Sequence, residues 1–401
     1  MPIALYALAL CAFSIGTTEL VVEGVLPDIV KSLDISLATG GALVTTYAGG
    51  VVIGAPLLTL LTRRIPRKAL IIGVLLLYAL GNSCSALAPS FTTLIIIRFL
   101  TGTMHGVFMA IGASIASSLV DESKRATAMA VFISGITVAV IVGVPLGTYI
   151  GQAIDWQATF VMLGVIALLG AAAVTVFVPS IPYEPNRQSL REVAALFSYK
   201  GLVSLYLVTI TSYAALFGVY TFIVPTFTKV SGLGFGEVDG VLVLYGVTIA
   251  VGNLFGGRLA DRIGHLRSLA ILVLFLVGVL AVFGYTQHMA ILSVGTMLLV
   301  GFLAYAITPI LQSGVVSFAR LHLPAFTDFA SSINIASYNV GIMLGSLIAS
   351  QTVRFWGLEG TPVTALVCAV LAIDVIGLAY RWHLAQQLAP AEAAASPPKA
   401  S

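Results

Sequence analysis

The chain has 401 residues, 59% of them apolar and 9% charged, with a mean hydropathy of +1.06. No soluble domain of this length could hide so much apolar surface, so a polytopic all-α membrane protein is expected, with the lipid bilayer as its surroundings. A net charge of +3, with no basic run interleaved with aromatics, argues against nucleic acid as a partner.

A membrane span needs about 20 mostly apolar residues. Such runs predict twelve helices, near 4–26, 39–61, 69–88, 91–119, 126–150, 157–178, 201–227, 238–259, 268–286, 290–318, 327–350 and 361–384. No lysine or arginine precedes the first run and no cleavage site follows it, so it reads as a retained helix and not a signal peptide. The third and fourth runs are separated only by Ala88-Pro89-Ser90, where proline suits the first turn of a new helix. Of the 19 lysines and arginines, only Lys31, Lys229 and Arg354 fall in loops on one side, and Arg98 lies within a span. The rest crowd the other side. By the positive-inside rule that side is cytoplasmic and holds both termini.

The longest connection, Pro179 to Lys200, divides the spans six and six. Its prolines break the helix, and Ser189 to Phe197 could form a short helix lying on the membrane face. The expected organisation is an N-terminal half (1–178), a cytoplasmic linker (179–200), a C-terminal half (201–384) and an Ala/Pro-rich, disordered tail (385–401). Two such halves suggest an internally repeated transporter with a site near the midplane. Cys11, Cys84 and Cys368 all fall in apolar segments, which argues against disulfides or zinc. A metal-ligand cluster, a nucleophile triad and a phosphate loop are all missing from the pattern, so no cofactor, no enzyme and no ATP-driven pump is expected.

The first span carries the main anomaly, because Glu19 and Glu23 lie inside it. A central acid costs about 2.5–3.5 kcal/mol even on insertion scales, so an intramembrane carboxylate is a functional candidate by default. Four residues apart, the two share one helix face and can meet the same aqueous path for proton and substrate. The alternative for Glu23, close to Pro27 and Asp28, is that it marks the end of the span among headgroups.

In the fourth span, Arg98 needs a partner or water at membrane depth, and Gly102 and His105 follow on its face. His105 suits either a proton relay or a hydrogen bond across a helix interface. Gly143, Gly147 and Gly151 form a small-residue stripe in the fifth span, which permits close packing against another helix; in a rocking transporter a tight interface between the halves is itself part of the mechanism. Gly252/Gly256 and Gly341/Gly345 repeat the spacing and suit packing alone. Candidate pocket groups are Tyr47, Tyr213, Tyr220, Asn253, Tyr305, Gln312, Asn334 and Asn339, each of which could instead bond between helices. Asn334 and Asn339 are five apart, so at most one points at a pocket. Asp374, in the last span, is expected to have no transport role.

The segment Gly257-Arg-Leu-Ala-Asp-Arg-Ile-Gly-His-Leu-Arg267 ends the eighth span and opens a loop. Its Asp261 can accept backbone N–H bonds at the start of a neighbouring helix and so latch that side shut. With this loop, Arg98-Phe-Leu-Thr-Gly-Thr-Met-His-Gly106, Gly143-Val-Pro-Leu-Gly147 with Gly151, Gly16-Thr-Thr-Glu-Leu20 with Leu26-Pro-Asp28, and Asn334-Ile-Ala-Ser-Tyr-Asn339, the chain resembles the major facilitator superfamily over residues 3–384. More narrowly, it is similar to twelve-helix drug/proton antiporters near the bacterial sugar-efflux and chloramphenicol-efflux permeases. The run around Pro145 looks like their antiporter signature, which implies export.

The resemblance further implies that Glu19, Arg98 and His105 couple protons, and that Asp261 and Arg262 gate against Lys124 and Arg125. It implies a monomer in a bacterial cytoplasmic membrane that exchanges protons for drugs or sugars. The alternatives are a facilitator or symporter importing a solute, and a non-transporting sensor. One departure stands out: in Thr59-Leu-Leu-Thr-Arg63-Arg-Ile-Pro-Arg-Lys68, Arg63 replaces the family's acid and Pro66 its second glycine.

Overall fold

The computed structural model describes residues 2–58, 61–62, 64–121, 124–180, 196–323 and 326–395. Twelve helical spans run in chain order. α1 covers Ile3–Ser32. α2 joins Leu37–Gly40 and Ala42–Ile53 to a π-helical turn, Gly54–Leu58. α3 is Arg67–Ala86 and α4 is Phe91–Ser118. α5 consists of Arg125–Val138, a π-helical turn Ala139–Gly143 and Val144–Ala153. α6 is Trp156–Phe177. α7 is Lys200–Tyr220, prolonged by Ile223–Pro225 and Thr226–Val230. α8 to α12 are Phe235–Ile263, His265–Thr286, Ala290–His322, Thr327–Trp356 and Thr361–Ala395.

Among the described residues, eleven helices are long and apolar enough to cross a membrane, and the shorter Leu37–Ile53 is the twelfth apolar one. The widened turn in α5 lies just before Pro145. That residue has no N–H to donate and its ring crowds the carbonyl one turn back, which opens the hydrogen-bond ladder.

Two local expectations change. Pro89 stands outside α4, in front of the N-cap Ser90, whose hydroxyl accepts a bond from the Thr93 N–H at 3.3 Å. The serine therefore starts the helix and the proline only ends the approach. α12 continues through 385–395, expected as tail, because alanine dominates the stretch and is the best helix former. The linker helix expected at Ser189 to Phe197 falls mostly outside the described residues; within them, Leu196–Ser198 forms a 3-10 turn. Arg63 lies outside them as well.

The first half packs α1 against α5 and α6, and α2 against α4; the second packs α7 between α11 and α12, and α8 against α10. The halves meet at the end carrying the α1–α2, α7–α8 and α11–α12 connections. There Ser346 Oγ bonds Thr45 Oγ1 at 3.1 Å and donates to the Gly41 carbonyl at 3.0 Å. Gly41 sits so close to Ser350 and Phe222 that no side chain would fit, and Gly246 of α8 is pressed onto the Val140–Ile141 backbone of α5. At the opposite end, Lys124, Arg125, Asp261 and Arg262 are all exposed.

Candidate functional site

α1 is buried along most of its length, so its two acids need an explanation that packing cannot supply. Glu23 is 1% exposed, and neither carboxylate oxygen has a hydrogen-bond partner. A span end among headgroups would be wet, so that alternative fails for Glu23. Glu19, one turn earlier, is partly exposed. Both interact electrostatically with Arg98 of α4.

Arg98 is 1% exposed and its guanidinium is held by two contacts. Its Nη1 donates to the Thr18 carbonyl at 3.0 Å, and its guanidinium lies 4.0 Å from the centroid of the Tyr47 ring. In a desolvated place such a cation–π contact is worth about 2 kcal/mol or more. Nε and Nη2 have no protein acceptor, so part of the charge is left for the acids of α1. The arginine thus ties α4 to the Thr18 backbone carbonyl of α1 and lies within electrostatic reach of both glutamates.

Glycine makes this arrangement possible. A side chain at Gly102 would strike the Tyr47 carbonyl, and one at Gly50 would strike that of Phe99, so α2 and α4 lie backbone to backbone. Beneath Arg98, the Tyr47 hydroxyl bonds Tyr78 Oη at 3.0 Å and His105 Nδ1 at 3.1 Å. His105, 5% exposed, is thereby part of a bond between helices.

The second half answers with tyrosines. Tyr220 stacks on Tyr245, ring centroids 5.2 Å apart, and Tyr213 meets Tyr338 at 4.6 Å and Tyr305 at 6.4 Å. The Tyr213 hydroxyl bonds Thr308 Oγ1 at 2.9 Å. Glu23 interacts electrostatically with Tyr220 and Tyr245, and Glu19 with Tyr47, Tyr213 and Tyr305. The acids of α1 therefore lie within electrostatic reach of tyrosines from both halves.

Several predicted pocket residues belong elsewhere. Asn334 is fully buried and committed: its Oδ1 accepts from Thr209 at 2.7 Å, and its Nδ2 donates to Gln312 Oε1 at 2.8 Å and to Tyr338 Oη at 3.1 Å. Gln312 in turn donates to Ser331 at 2.6 Å. This ties α7, α10 and α11 together. Asn339 donates to its own helix at Ile335 O, 3.3 Å away, leaving Oδ1 without a partner. Asn253 is partly exposed and joins none of these contacts, and Asp374 is exposed on α12.

The stripe of Gly143, Gly147 and Gly151 does not join the halves. It packs on Thr17, Val21 and Val25 of α1, within the first half, and fixes the back of the helix that carries the glutamates. The contact of α5 with the other half is made instead by Val140 and Ile141. Gly252/Gly256 and Gly341/Gly345 press on α10 and α7 of their own half, as packing requires. Lys124, the N-cap of the first segment of α5, makes no side-chain capping bond. Asp261, beside it in the expected latch, is exposed.

Tyr78, Tyr245 and Tyr338 escaped the sequence reading. For Tyr338 a signal existed, because it stands one turn after Asn334 and so shares its face, which Asn339 does not. Nothing in the local sequence marks Tyr78 or Tyr245.

Comparison with known proteins places this geometry. The profile of the Major Facilitator Superfamily matches residues 8–327. The MFS-type transporter YtbD of Bacillus subtilis is 36% identical over 374 residues, covering 93% of this chain and 94% of its own. The inner membrane transport protein YdhP of Escherichia coli K12 is 33% identical, covering 94% and 96%. Among solved structures, an inward-facing bacterial homologue of the lysosomal transporter Spinster superposes with a TM-score of 0.77 at 16% identity, covering 94% of this chain and 96% of that one. A mutant of the nucleoside transporter NupG follows at 0.76 and 14%, covering 94% and 98%. At these identities the superpositions speak for the fold alone, but together with the profile and the full-length relatives they establish that this multi-pass membrane chain belongs to the Major Facilitator Superfamily and is a transporter of small solutes.

Proposed function

We propose that the chain is a proton-coupled exporter of small organic molecules such as drugs or sugars, working by alternating access as a monomer in the bacterial cytoplasmic membrane with both termini inside. The observation that carries the reading is the partly exposed Glu19 beside the buried Arg98, facing tyrosines of the opposite half. The contacts between halves lie at the end expected to be periplasmic, which supports approach to Glu19 from the cytoplasmic side in this state. There the carboxyl gives up its proton and the solute enters against Tyr213 and Tyr305. The halves then rock about α2–α11 and α5–α8, the solute leaves, and a periplasmic proton reloads the acid. Arg98 keeps the deprotonated acid from standing as an uncompensated buried charge. The positive-inside pattern and the inner-membrane relative support the placement.

The test is a transport screen in everted vesicles in which a pH-sensitive dye reports proton movement as each compound is added. Wild type should release protons with a subset of compounds, and Glu19→Gln should be silent while remaining folded and inserted. A full dye response and full export in Glu19→Gln would remove Glu19 from the mechanism.

A further inference from the structure

Three tyrosines of the second half form a wall whose side-chain polar atoms are largely spent inside the protein. The Tyr213 ring of α7 lies 4.6 Å from that of Tyr338 on α11 and 6.4 Å from that of Tyr305 on α10, centroid to centroid. Tyr213 Oη bonds Thr308 Oγ1 at 2.9 Å, and Thr308 Oγ1 donates to the Ala304 carbonyl at 3.4 Å. With the threonine proton so placed, the tyrosine is the donor in the first of these bonds. Tyr338 Oη donates to the Thr308 carbonyl at 3.1 Å and accepts from Asn334 Nδ2 at 3.1 Å. Asn334 gives its remaining capacity to Thr209 and Gln312. Both hydroxyl protons and the whole amide are therefore turned inward, and what Tyr213 and Tyr338 offer is ring surface. Tyr305 and Tyr338 are only half-buried, so part of that surface is left uncovered by the chain. The unpartnered Oδ1 of Asn339 is not part of this wall, since the next residue along a helix points about 100° away from Tyr338.

A wall of this kind discriminates between drugs and sugars. A sugar brings many hydroxyls out of water, and each one that finds no partner costs about tenfold in affinity. A flat aromatic solute gives up few hydrogen bonds and gains offset or edge-to-face contacts with the rings. We propose that Tyr213, Tyr305 and Tyr338 are the solute-recognition surface of the second half, and that the transported molecule is a flat, weakly polar aromatic compound and not a sugar. This narrows the exporter reading from two solute classes to one and rests on it for the entry of the solute beside Tyr213 and Tyr305; ring-dependent binding itself does not.

The experiment is calorimetric titration of the full-length protein in lipid nanodiscs with coumarin, a flat neutral molecule that has no hydrogen-bond donor. Empty nanodiscs supply the blank for partition into lipid. Octahydrocoumarin, which keeps the lactone but has no aromatic ring, and lactose serve as competitors. Wild type should bind coumarin saturably, and neither competitor should displace it. Tyr305→Leu should weaken binding about fivefold or more, the equivalent of one lost aromatic contact. Tyr213→Phe should stay within about twofold, because the hydroxyl it removes already serves Thr308. The contrast among the three compounds needs no variant, so a poorly folded mutant cannot hide the answer. Absence of saturable coumarin binding to wild type, equal competition by octahydrocoumarin or by lactose, or an unchanged affinity in monodisperse Tyr305→Leu protein would each overturn the recognition surface. If coumarin binding depends on the rings but no compound releases protons, the exporter reading falls and the surface stands. If sugars alone drive proton release, the reverse holds.

Discussion

Tyr47 separates the two jobs that its neighbourhood performs, because its ring supports Arg98 while its hydroxyl serves Tyr78 and His105. Tyr47→Phe removes only the hydroxyl. The loss falls on the buried Tyr78 hydroxyl and on the buried His105 Nδ1, both of which bond to it. Leaving one such group unpaired costs about 1–3 kcal/mol. Tyr47→Leu loses this and also the platform under Arg98, about 2 kcal/mol more for a desolvated contact. Stability should therefore fall in the order wild type, Tyr47→Phe, Tyr47→Leu when followed by thermal unfolding of the protein in nanodiscs. Proton-coupled transport should separate the variants differently: Tyr47→Phe stays within about threefold of wild type, since Arg98 is still held, and Tyr47→Leu loses about tenfold or more, the rate equivalent of 1.4 kcal/mol. If Tyr47→Phe abolished coupling at unchanged stability, the hydroxyl and His105 would lie on the proton path, and a purely structural role for His105 would be wrong.

Asn334→Leu should destabilise by about 2–4 kcal/mol, since it strands Thr209, Gln312 and Tyr338 at once; unfolding of the variant checks this, and a wild-type midpoint would show that the network is dispensable. Asp261 is exposed in this state, so a latch at that end can form only when the two halves close there. Asp261→Asn should then shift spin-label distances between the ends of α5 and α8 towards this open arrangement, by up to about tenfold in population if the contact is worth 1.4 kcal/mol. An unchanged distance distribution would make Asp261 a topology or folding residue.

Span number was legible in the sequence, as were the two acids inside α1. In a bilayer every backbone polar group must be bonded within its own helix, so hydropathy and helical period decide local structure with little help from neighbours. For the same reason Glu19 and Glu23 stood out, because an acid in hydrocarbon is costly wherever the helix packs. What only the tertiary structure decided is which residues meet across helices far apart in sequence. The glycines of α5 are spaced for close packing, but spacing does not name the partner, and the stripe proved to lie on α1 and not between the halves. Asn334 and Gln312 carry the same amide chemistry whether they line a pocket or bind each other, and only their 2.8 Å separation settles which. Tyr245 has no local mark at all; that its ring stacks on Tyr220 of another helix is visible only in the folded chain. A tyrosine on an apolar helix is consistent with core, interface or pocket, and only its partners in the fold tell these apart.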